Sequence, residues 1–299
     1  MVVWTIILCG IWHAYQAHIN FSSGRLDSGG GVDFAEGNGI AAYLSIGVIF
    51  LGFQMLRYSL LLQIIFIFAI VLMLDAIILT ESRSIFLGLI FAVPYVFLNI
   101  PPGKFKQISI YTFLGIVLFF ILVDTSFMER MGTIGGLNQS ITMNDSQLIN
   151  QKVHADRMDF WRASIDIFRD HPWGIGVKNF YKIVPSYDPL NPGMDPHNTF
   201  VMCYSEIGIL GIIVFLLISM ETVFQIRRIR ILSKHSHLEE KILYHLISIG
   251  TVLVIFFSGY MMTHSNLYVE SLWILLSLPI CLENATKGSV EKESYSGEK

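Results

Sequence analysis

The chain has 299 residues, of which 53% are hydrophobic and 14% are charged, and its formal net charge is -3. Because an average soluble domain carries about 25% charged residues, this composition excludes an ordinary soluble enzyme, and the low net charge argues against nucleic acid as a partner. Cys9, Cys203 and Cys281 stand singly in apolar runs without CxxC spacing, so the sequence indicates neither a disulfide framework nor a zinc site.

Long apolar runs predict eight membrane-spanning helices, since about 20 apolar residues cross roughly 30 Å of hydrocarbon. They lie at 1–17, 39–56, 59–79, 84–100, 107–124, 199–220, 243–262 and 267–283. The sequence therefore predicts an all-α polytopic membrane protein. We expect five spans within 1–124, a large loop over 125–196, three spans within 197–285 and a disordered tail over 286–299.

The short loops predict the orientation of the chain, because Lys and Arg accumulate in cytoplasmic loops. One alternating set of loops carries eight basic residues, whereas the other carries only Arg25 and Arg83. The eight are Arg57, Lys104, Lys106, Arg227, Arg228, Arg230, Lys234 and Lys241. This asymmetry predicts that both termini are cytoplasmic and that the loop 125–196 is extracytoplasmic.

The large loop is predicted to contain an amphipathic helix that lies along the membrane surface. Its apolar residues recur at spacings of three, four and three, which places them on one helical face. They are Met158, Trp161, Ile165 and Phe168. Asp156 is the expected N-cap, and Pro172 is expected to end the helix.

Three arginines on the predicted outer side have positions suited to binding an anion. Arg25 follows the first span, Arg83 lies in a tight hairpin between two spans, and Arg157 opens the loop helix, where backbone N–H groups also face an anion. Arginine holds phosphate oxygens bidentately and stays charged. An arginine beside a membrane helix also extends to the lipid headgroups, and Arg162 can pair with Asp159 on the helix surface. Both interpretations stay open at this point.

A polar segment, Asp195-Pro-His197-Asn198-Thr199, precedes the sixth span, and Glu206 follows about two turns later. Histidine suits proton transfer near neutral pH, although a capping or interfacial histidine is equally compatible with this position. The candidate catalytic residues are His197, Arg83 and Arg157. The candidate substrate-binding residues are Arg25, Asn198, Glu206, Arg162 and Trp161.

Motifs for metal or serine chemistry are missing from the sequence. It contains no HExxH, no DxD and no GxSxG. We therefore expect no metal site and no cofactor.

Five short motifs occur in an order that resembles the O-antigen ligase and polymerase family. They are Ser82-Arg83, RxxxW from Arg157 to Trp161, PxGxG from Pro172 to Gly176, His197-Asn198, and ExGxxG from Glu206 to Gly211. The resemblance extends from about residue 20 to residue 220. Each motif alone is weak, but their order around one large loop is fairly specific.

The resemblance implies a C-type glycosyltransferase-like architecture in the bacterial inner membrane that needs neither metal nor nucleotide. Members of the family move a glycan from an undecaprenyl-diphosphate carrier to a glycan, lipid or protein acceptor during polysaccharide biosynthesis in the cell envelope. By that resemblance Arg83 and Arg157 hold the diphosphate, and His197 acts at the acceptor hydroxyl. Members usually have further spans before the Arg25 region, so this chain is expected to be a short or N-terminally truncated member.

Two other functions remain compatible with the sequence: a transporter or flippase for the lipid-linked glycan, and a non-catalytic truncated family member. A transporter requires polar groups near the midplane that both faces can reach, whereas Asp75 and Glu206 lie toward the predicted outer ends of their spans. For a transferase, we expect Arg83, Arg157 and His197 to converge on one outward-facing pocket beneath the loop helix.

Overall fold

In the computed structural model, the described residues are 2–21, 24, 26, 37–101, 103–123, 125, 127–128, 157–189, 195–233 and 239–296. Of Arg157, Met158, Glu239 and residues 291–296, only the backbone is described. The regular secondary structure of these residues is helical, and the prediction of an all-α polytopic membrane protein is confirmed.

The helices are numbered in chain order. They are α1 Val2–Asn20, α2 Gly37–Met55, α3 Leu60–Leu79, α4 Arg83–Leu98, α5 Phe105–Leu122, α6 Arg157–Asp170, α7 Phe180–Ile183, α8 Thr199–Ser233, α9 Glu239–Ile255, α10 Met261–Thr263 and α11 Glu270–Ser296. A 3-10 turn, Val184–Ser186, follows α7, and a π-helical segment, Phe256–Tyr260, joins α9 to α10.

Six helices among the described residues are long and apolar enough to cross a membrane. They are α1, α2, α3, α5, α8 and the continuous segment Glu240–Thr263. Helix α4 is also apolar but has only 16 residues. The chain is therefore a multi-pass membrane protein, with most predicted spans at their expected positions.

Two helices extend beyond the predicted spans. Helix α8 runs to Ser233 rather than ending near residue 220, so Arg227, Arg228 and Arg230 lie on a helix and not in a loop. Helix α11 runs to Ser296, and the prediction of a disordered tail is wrong over 286–296. An ion pair one helical turn apart supports this polar extension, with Lys287 Nζ 2.8 Å from Glu283 Oε1.

The chain divides into two compact units. The first contains Met1–Met131, Phe224–Tyr260 and Ser277–Lys299. The second contains Gly132–Val223 and Met261–Leu276. Arg83 belongs to the first unit, and His197 belongs to the second.

In the first unit, glycines let α4 approach the end of α9 and the π-helical segment. A Cβ atom added at Gly88 would lie 2.7 Å from the carbonyl oxygen of Ile255, and one at Gly259 would overlap the carbonyl oxygen of Ser84. Small residues at such contacts allow close backbone packing in membrane helices. The packing fixes the first turn of α4, where Arg83 lies.

A carboxylate–imidazole pair links α1 and α3 in the same unit. His18 Nε2 lies 2.8 Å from Asp75 Oδ2, and His18 Nδ1 lies 2.8 Å from the carbonyl oxygen of Ala14. The acid Asp75 is thus tied to the neighbouring helix.

Candidate functional site

The second unit contains a close backbone crossing between two glycine motifs. Helix α8 is broken at Gly208, where φ is 74° and ψ is -167°, and Gly174 sits against this break with φ 90°. A Cβ at either glycine would overlap the backbone of the other segment. Only glycine fits such a contact at positive φ, which gives the PxGxG and ExGxxG motifs a structural reason.

Backbone hydrogen bonds join the two motifs across this crossing. Gly176 N donates to the carbonyl oxygen of Glu206 at 2.9 Å, and Ile209 N donates to that of Pro172 at 2.9 Å. The break in α8 leaves the carbonyl of Glu206 and the N–H of Ile209 without their helical partners. The loop supplies a donor to the first and an acceptor to the second. The loop is therefore anchored on the second and third turns of α8, around the break at Gly208.

Glu206 anchors the same loop through its side chain, which is 1% exposed. Its Oε2 accepts from Lys178 N at 2.8 Å, and its Oε1 accepts from Phe180 N at 2.9 Å. The hydroxyl of Tyr268 also donates to Oε2. Both carboxylate oxygens are occupied by protein donors, so we assign Glu206 to holding the loop rather than to binding substrate.

The residues of α6 that pack within its unit are not those of the predicted apolar stripe. Phe160, Ala163 and Ile167 are buried, and the last two pack with Phe180 and Val184. The apolar stripe is not the packed face, because Ile165 is 45% exposed and Trp161 and Phe168 are only half-buried. That the stripe lies along the membrane surface stays a prediction. The side chain of Met158 and the expected N-cap Asp156 lie outside the described residues.

The end of α6 is held to the 3-10 turn that follows α7. The hydroxyl of Tyr187 donates to Asp170 Oδ2 at 2.9 Å. This hydrogen bond raises the pKa of Tyr187 above its usual value, since it stabilises the protonated phenol. Helix α6 therefore sits on a packed support formed by the same loop that Glu206 anchors.

His197 immediately precedes α8 and has a left-handed backbone, with φ 47°. Its Nδ1 lies 3.1 Å from Asp195 Oδ1, and its backbone N donates to the same oxygen at 2.8 Å. Ser265 Oγ donates to this oxygen as well, at 3.0 Å. The imidazole is 31% exposed, and its Nε2 has no hydrogen-bond partner within the described part of the chain. The ring therefore has Nδ1 beside a carboxylate and a side chain that is partly open to solvent.

Asn198, not His197, caps α8. Its Oδ1 accepts from the backbone N of Phe200 and of Val201, at 2.9 Å and 3.1 Å, as an N-cap side chain does. Its Nδ2 donates to the carbonyl oxygen of Met262 at 3.2 Å. The amide is 5% exposed, and its contacts assign it to holding the helix start beside His197.

The two other candidates on α6 lie on its accessible side. Trp161 Nε1 donates to the carbonyl oxygen of Pro196 at 3.1 Å, which connects α6 to the residue before His197. Arg162 pairs with Asp159 at 3.4 Å while 75% exposed. An exposed pair of this kind contributes little to stability, so Arg162 keeps the surface pairing that the sequence allowed.

Two of the three candidate arginines are the first residues of helices, and the third lies outside the described residues. Arg83 is the first residue of α4, and Arg157 is the first residue of α6, so both backbones are where the sequence placed them. The side chain of Arg157 and the whole of Arg25 lie outside the described residues. The convergence of Arg83, Arg157 and His197 stays a prediction.

The sequence placed Asp195 in the polar segment before α8 without giving it a role, and it did not indicate Ser265 and Tyr268 as parts of this site. The role of Asp195 had a local signal, since the side chain of an aspartate often accepts a hydrogen bond from the backbone N–H two residues later. Ser265 and Tyr268 lie in the connection between α10 and α11, and nothing in their local sequence indicates contact with residues that lie over sixty positions earlier.

The described residues contain no group of three or more His, Cys, Asp or Glu side chains that could hold a metal ion. Independence of metal remains a prediction.

Residues 68–216 match the family model described as O-Antigen ligase. This segment includes Arg83, Arg157, His197 and Glu206, and the match confirms the resemblance that the motifs indicated. No curated protein matches the chain.

Proposed function

Because the chain belongs to the O-antigen ligase family, we propose that it transfers a glycan from an undecaprenyl-diphosphate carrier to an acceptor hydroxyl at the outer face of the bacterial inner membrane. The observation that carries this proposal is the His197 imidazole, which is 31% exposed and has its Nδ1 3.1 Å from Asp195 Oδ1. A ring held in this way suits a general base.

On the donor side, the bond between the anomeric carbon and the diphosphate oxygen breaks, and the diphosphate leaves with the electron pair. Arg83 and Arg157 bind the diphosphate and stabilise the negative charge that develops there. Each begins a helix, so the backbone N–H groups of that helix add donors for the same anion. Fixed charges aimed at a developing anion are usually the largest contribution to such catalysis.

On the acceptor side, the hydroxyl oxygen forms the new bond to the anomeric carbon while its proton passes to His197 Nε2. The proton leaves the imidazole to water after the product departs. One displacement of this kind inverts the configuration at the anomeric carbon. Asn198 and Trp161 contribute by holding the backbone on either side of His197.

The direct experiment is transfer in proteoliposomes that contain the purified chain, a labelled undecaprenyl-diphosphate-linked glycan, an acceptor and excess EDTA. We expect labelled product from the wild type, because the proposed chemistry uses side chains rather than a metal. His197→Ala should reduce the rate by about 100-fold or more, the usual contribution of a general base.

The matched control is His171→Ala, since His171 is an exposed histidine in the loop after α6. It should transfer at the wild-type rate. Full loss of transfer in EDTA with rescue by magnesium or manganese would contradict metal independence. Equal rates for His197→Ala and the wild type would contradict the role of His197.

The orientation is tested with reporter fusions. A reporter within 130–150 should report an extracytoplasmic position, and one near Ser233 should report a cytoplasmic one, because basic residues concentrate in the loops of one side. A fusion near Arg57, which belongs to the same predicted cytoplasmic set, is the matched control. Opposite readings would place His197 and the arginines on the wrong face for a lipid-linked donor.

A further inference from the structure

One oxygen atom, Oδ1 of Asp195, receives three contacts from possible donors. They come from the backbone N of His197 at 2.8 Å, the Nδ1 of His197 at 3.1 Å and the Oγ of Ser265 at 3.0 Å. An ionised carboxylate can only accept hydrogen bonds. At 3.1 Å this carboxylate oxygen repels a nitrogen lone pair and attracts an N–H, which favours the proton of a neutral His197 ring on Nδ1 and leaves the lone pair on Nε2.

We infer that Asp195 is a positioning residue that fixes His197 in the Nδ1–H tautomer and turns the lone pair of Nε2 toward the acceptor hydroxyl. The catalytic part of this inference rests on the proposed function. The tautomer itself does not, because it follows from the donors around one carboxylate oxygen. Asp195 would also stabilise the imidazolium that forms when Nε2 takes the proton, as the carboxylate of a Ser-His-Asp triad does.

The backbone of His197 supports a positioning role. A φ of 47° is uncommon for a residue other than glycine, and such conformations persist only where the surroundings hold them. Asp195 holds this one through its bond to the His197 backbone N. Asn198 then fixes the next residue by capping α8.

Three separate segments hold the ring in place. Asp195 belongs to the segment before α8, and Ser265, from the connection after α10, holds Asp195 in turn. Phe160 on α6 places its ring centroid 6.4 Å from that of His197. Asp195 and His197 keep side-chain exposures of 43% and 31%. The pair is thus fixed in place yet accessible to a substrate hydroxyl.

The tautomer is tested by nitrogen NMR on histidine-labelled protein in proteoliposomes. At about pH 9, where an ordinary histidine is neutral, the His197 signal, assigned by comparison with His197→Gln, should show a protonated Nδ1. In Asp195→Ala the signal should move toward the Nε2–H form. A wild-type ring protonated on Nε2 would overturn the inference, whatever the outcome of any transfer assay.

The catalytic consequence is tested with Asp195→Asn. The amide oxygen of asparagine can still accept from the backbone N of His197 and from Ser265, so a merely structural role would leave the rates unchanged. We expect kcat to fall by at least about 100-fold, as loss of the carboxylate does in a Ser-His-Asp triad, with KM for the donor within about twofold. In the His197→Ala background the same change should have no further effect.

Asp166→Asn is the matched control, because Asp166 makes an exposed pair with Arg169 on α6. It should keep wild-type kinetics. If the wild type transfers and His197→Ala does not, but Asp195→Asn keeps wild-type kcat, this inference is wrong and the proposed function stands. If the wild type transfers nothing but the ring shows a protonated Nδ1 that depends on Asp195, the proposed function fails and the positioning stands.

Discussion

Replacing Arg83 or Arg157 by alanine is expected to reduce glycan transfer about 1000-fold, with little effect on folding. The leaving diphosphate gains negative charge as its bond to the sugar breaks, and losing one preorganised donor at such a position costs on the order of 100- to 1000-fold. An arginine that binds through two N–H groups and a full charge should contribute at the upper end. Initial rates in proteoliposomes measure the loss, and thermal unfolding measures the folding.

Lysine at either position should restore only a small part of the rate. It supplies one charge but loses the planar pair of donors that fits two phosphate oxygens. Bidentate recognition therefore predicts the order arginine, lysine, alanine in rate at both positions. A lysine variant with wild-type activity would show that charge alone is enough.

The matched control for the two arginines is Arg169→Ala. Arg169 lies on the same helix as Arg157, is 72% exposed and pairs with Asp166 at 3.0 Å, so its removal should leave transfer unchanged. Arg162→Ala should reduce the rate by less than about tenfold, since its guanidinium pairs with Asp159 at the surface. Active Arg83→Ala and Arg157→Ala variants would contradict the proposal that these arginines hold the diphosphate.

The membrane spans could be predicted from the sequence because hydrophobic length alone determines them. The third span was predicted at 59–79, and α3 is Leu60–Leu79. The ends of α8 and α11 could not be predicted in this way. Hydropathy falls where charged residues begin, but arginine, lysine and glutamate are good helix formers, so the helices continue.

The buried face of α6 could not be chosen from the sequence. Trp161, Ile165 and Phe168 form one apolar set at helical spacing, and Phe160, Ala163 and Ile167 form another. The larger residues make the first set more prominent, yet the smaller Ala163 lets the loop carrying Phe180 approach closely. Which face packs depends on residues distant in the chain, and spacing holds no information about them.

The sequence singled out polar candidate positions but could not indicate what those residues contact. Polar residues at the start of a span stand out, so His197, Asn198 and Glu206 were all identified. Their roles depend on partners such as Met262 and Tyr268, which lie over sixty positions later. The structure therefore assigns Asn198 to a helix cap and Glu206 to the loop anchor.

Replacing Glu206 by glutamine is expected to have the largest effect on stability of any single change proposed for this chain. Both carboxylate oxygens accept from backbone N–H groups, those of Lys178 and Phe180. The amide NH₂ of glutamine must then face one of these donors, whichever way the side chain turns. A hydrogen bond to a charged group contributes about 1.5–3 kcal/mol, and a neutral one about 0.5–1.5 kcal/mol. One bond is lost and the other becomes neutral, so we expect Glu206→Gln to destabilise the loop by about 2.5–4 kcal/mol.

Hydrogen exchange and thermal unfolding measure this effect on the loop. The amide hydrogens of Lys178 and Phe180 should lose protection in Glu206→Gln. Transfer should also fall, because the loop supports α6. That helix carries Arg157 and contacts His197 through Phe160. Tyr268→Phe is the matched control, since it removes one donor and leaves both backbone donors in place. It should cost about 1.5–3 kcal/mol and leave both amides protected. Wild-type protection of both amides in Glu206→Gln would show that the carboxylate does not anchor the loop, and would return Glu206 to the candidates for substrate binding.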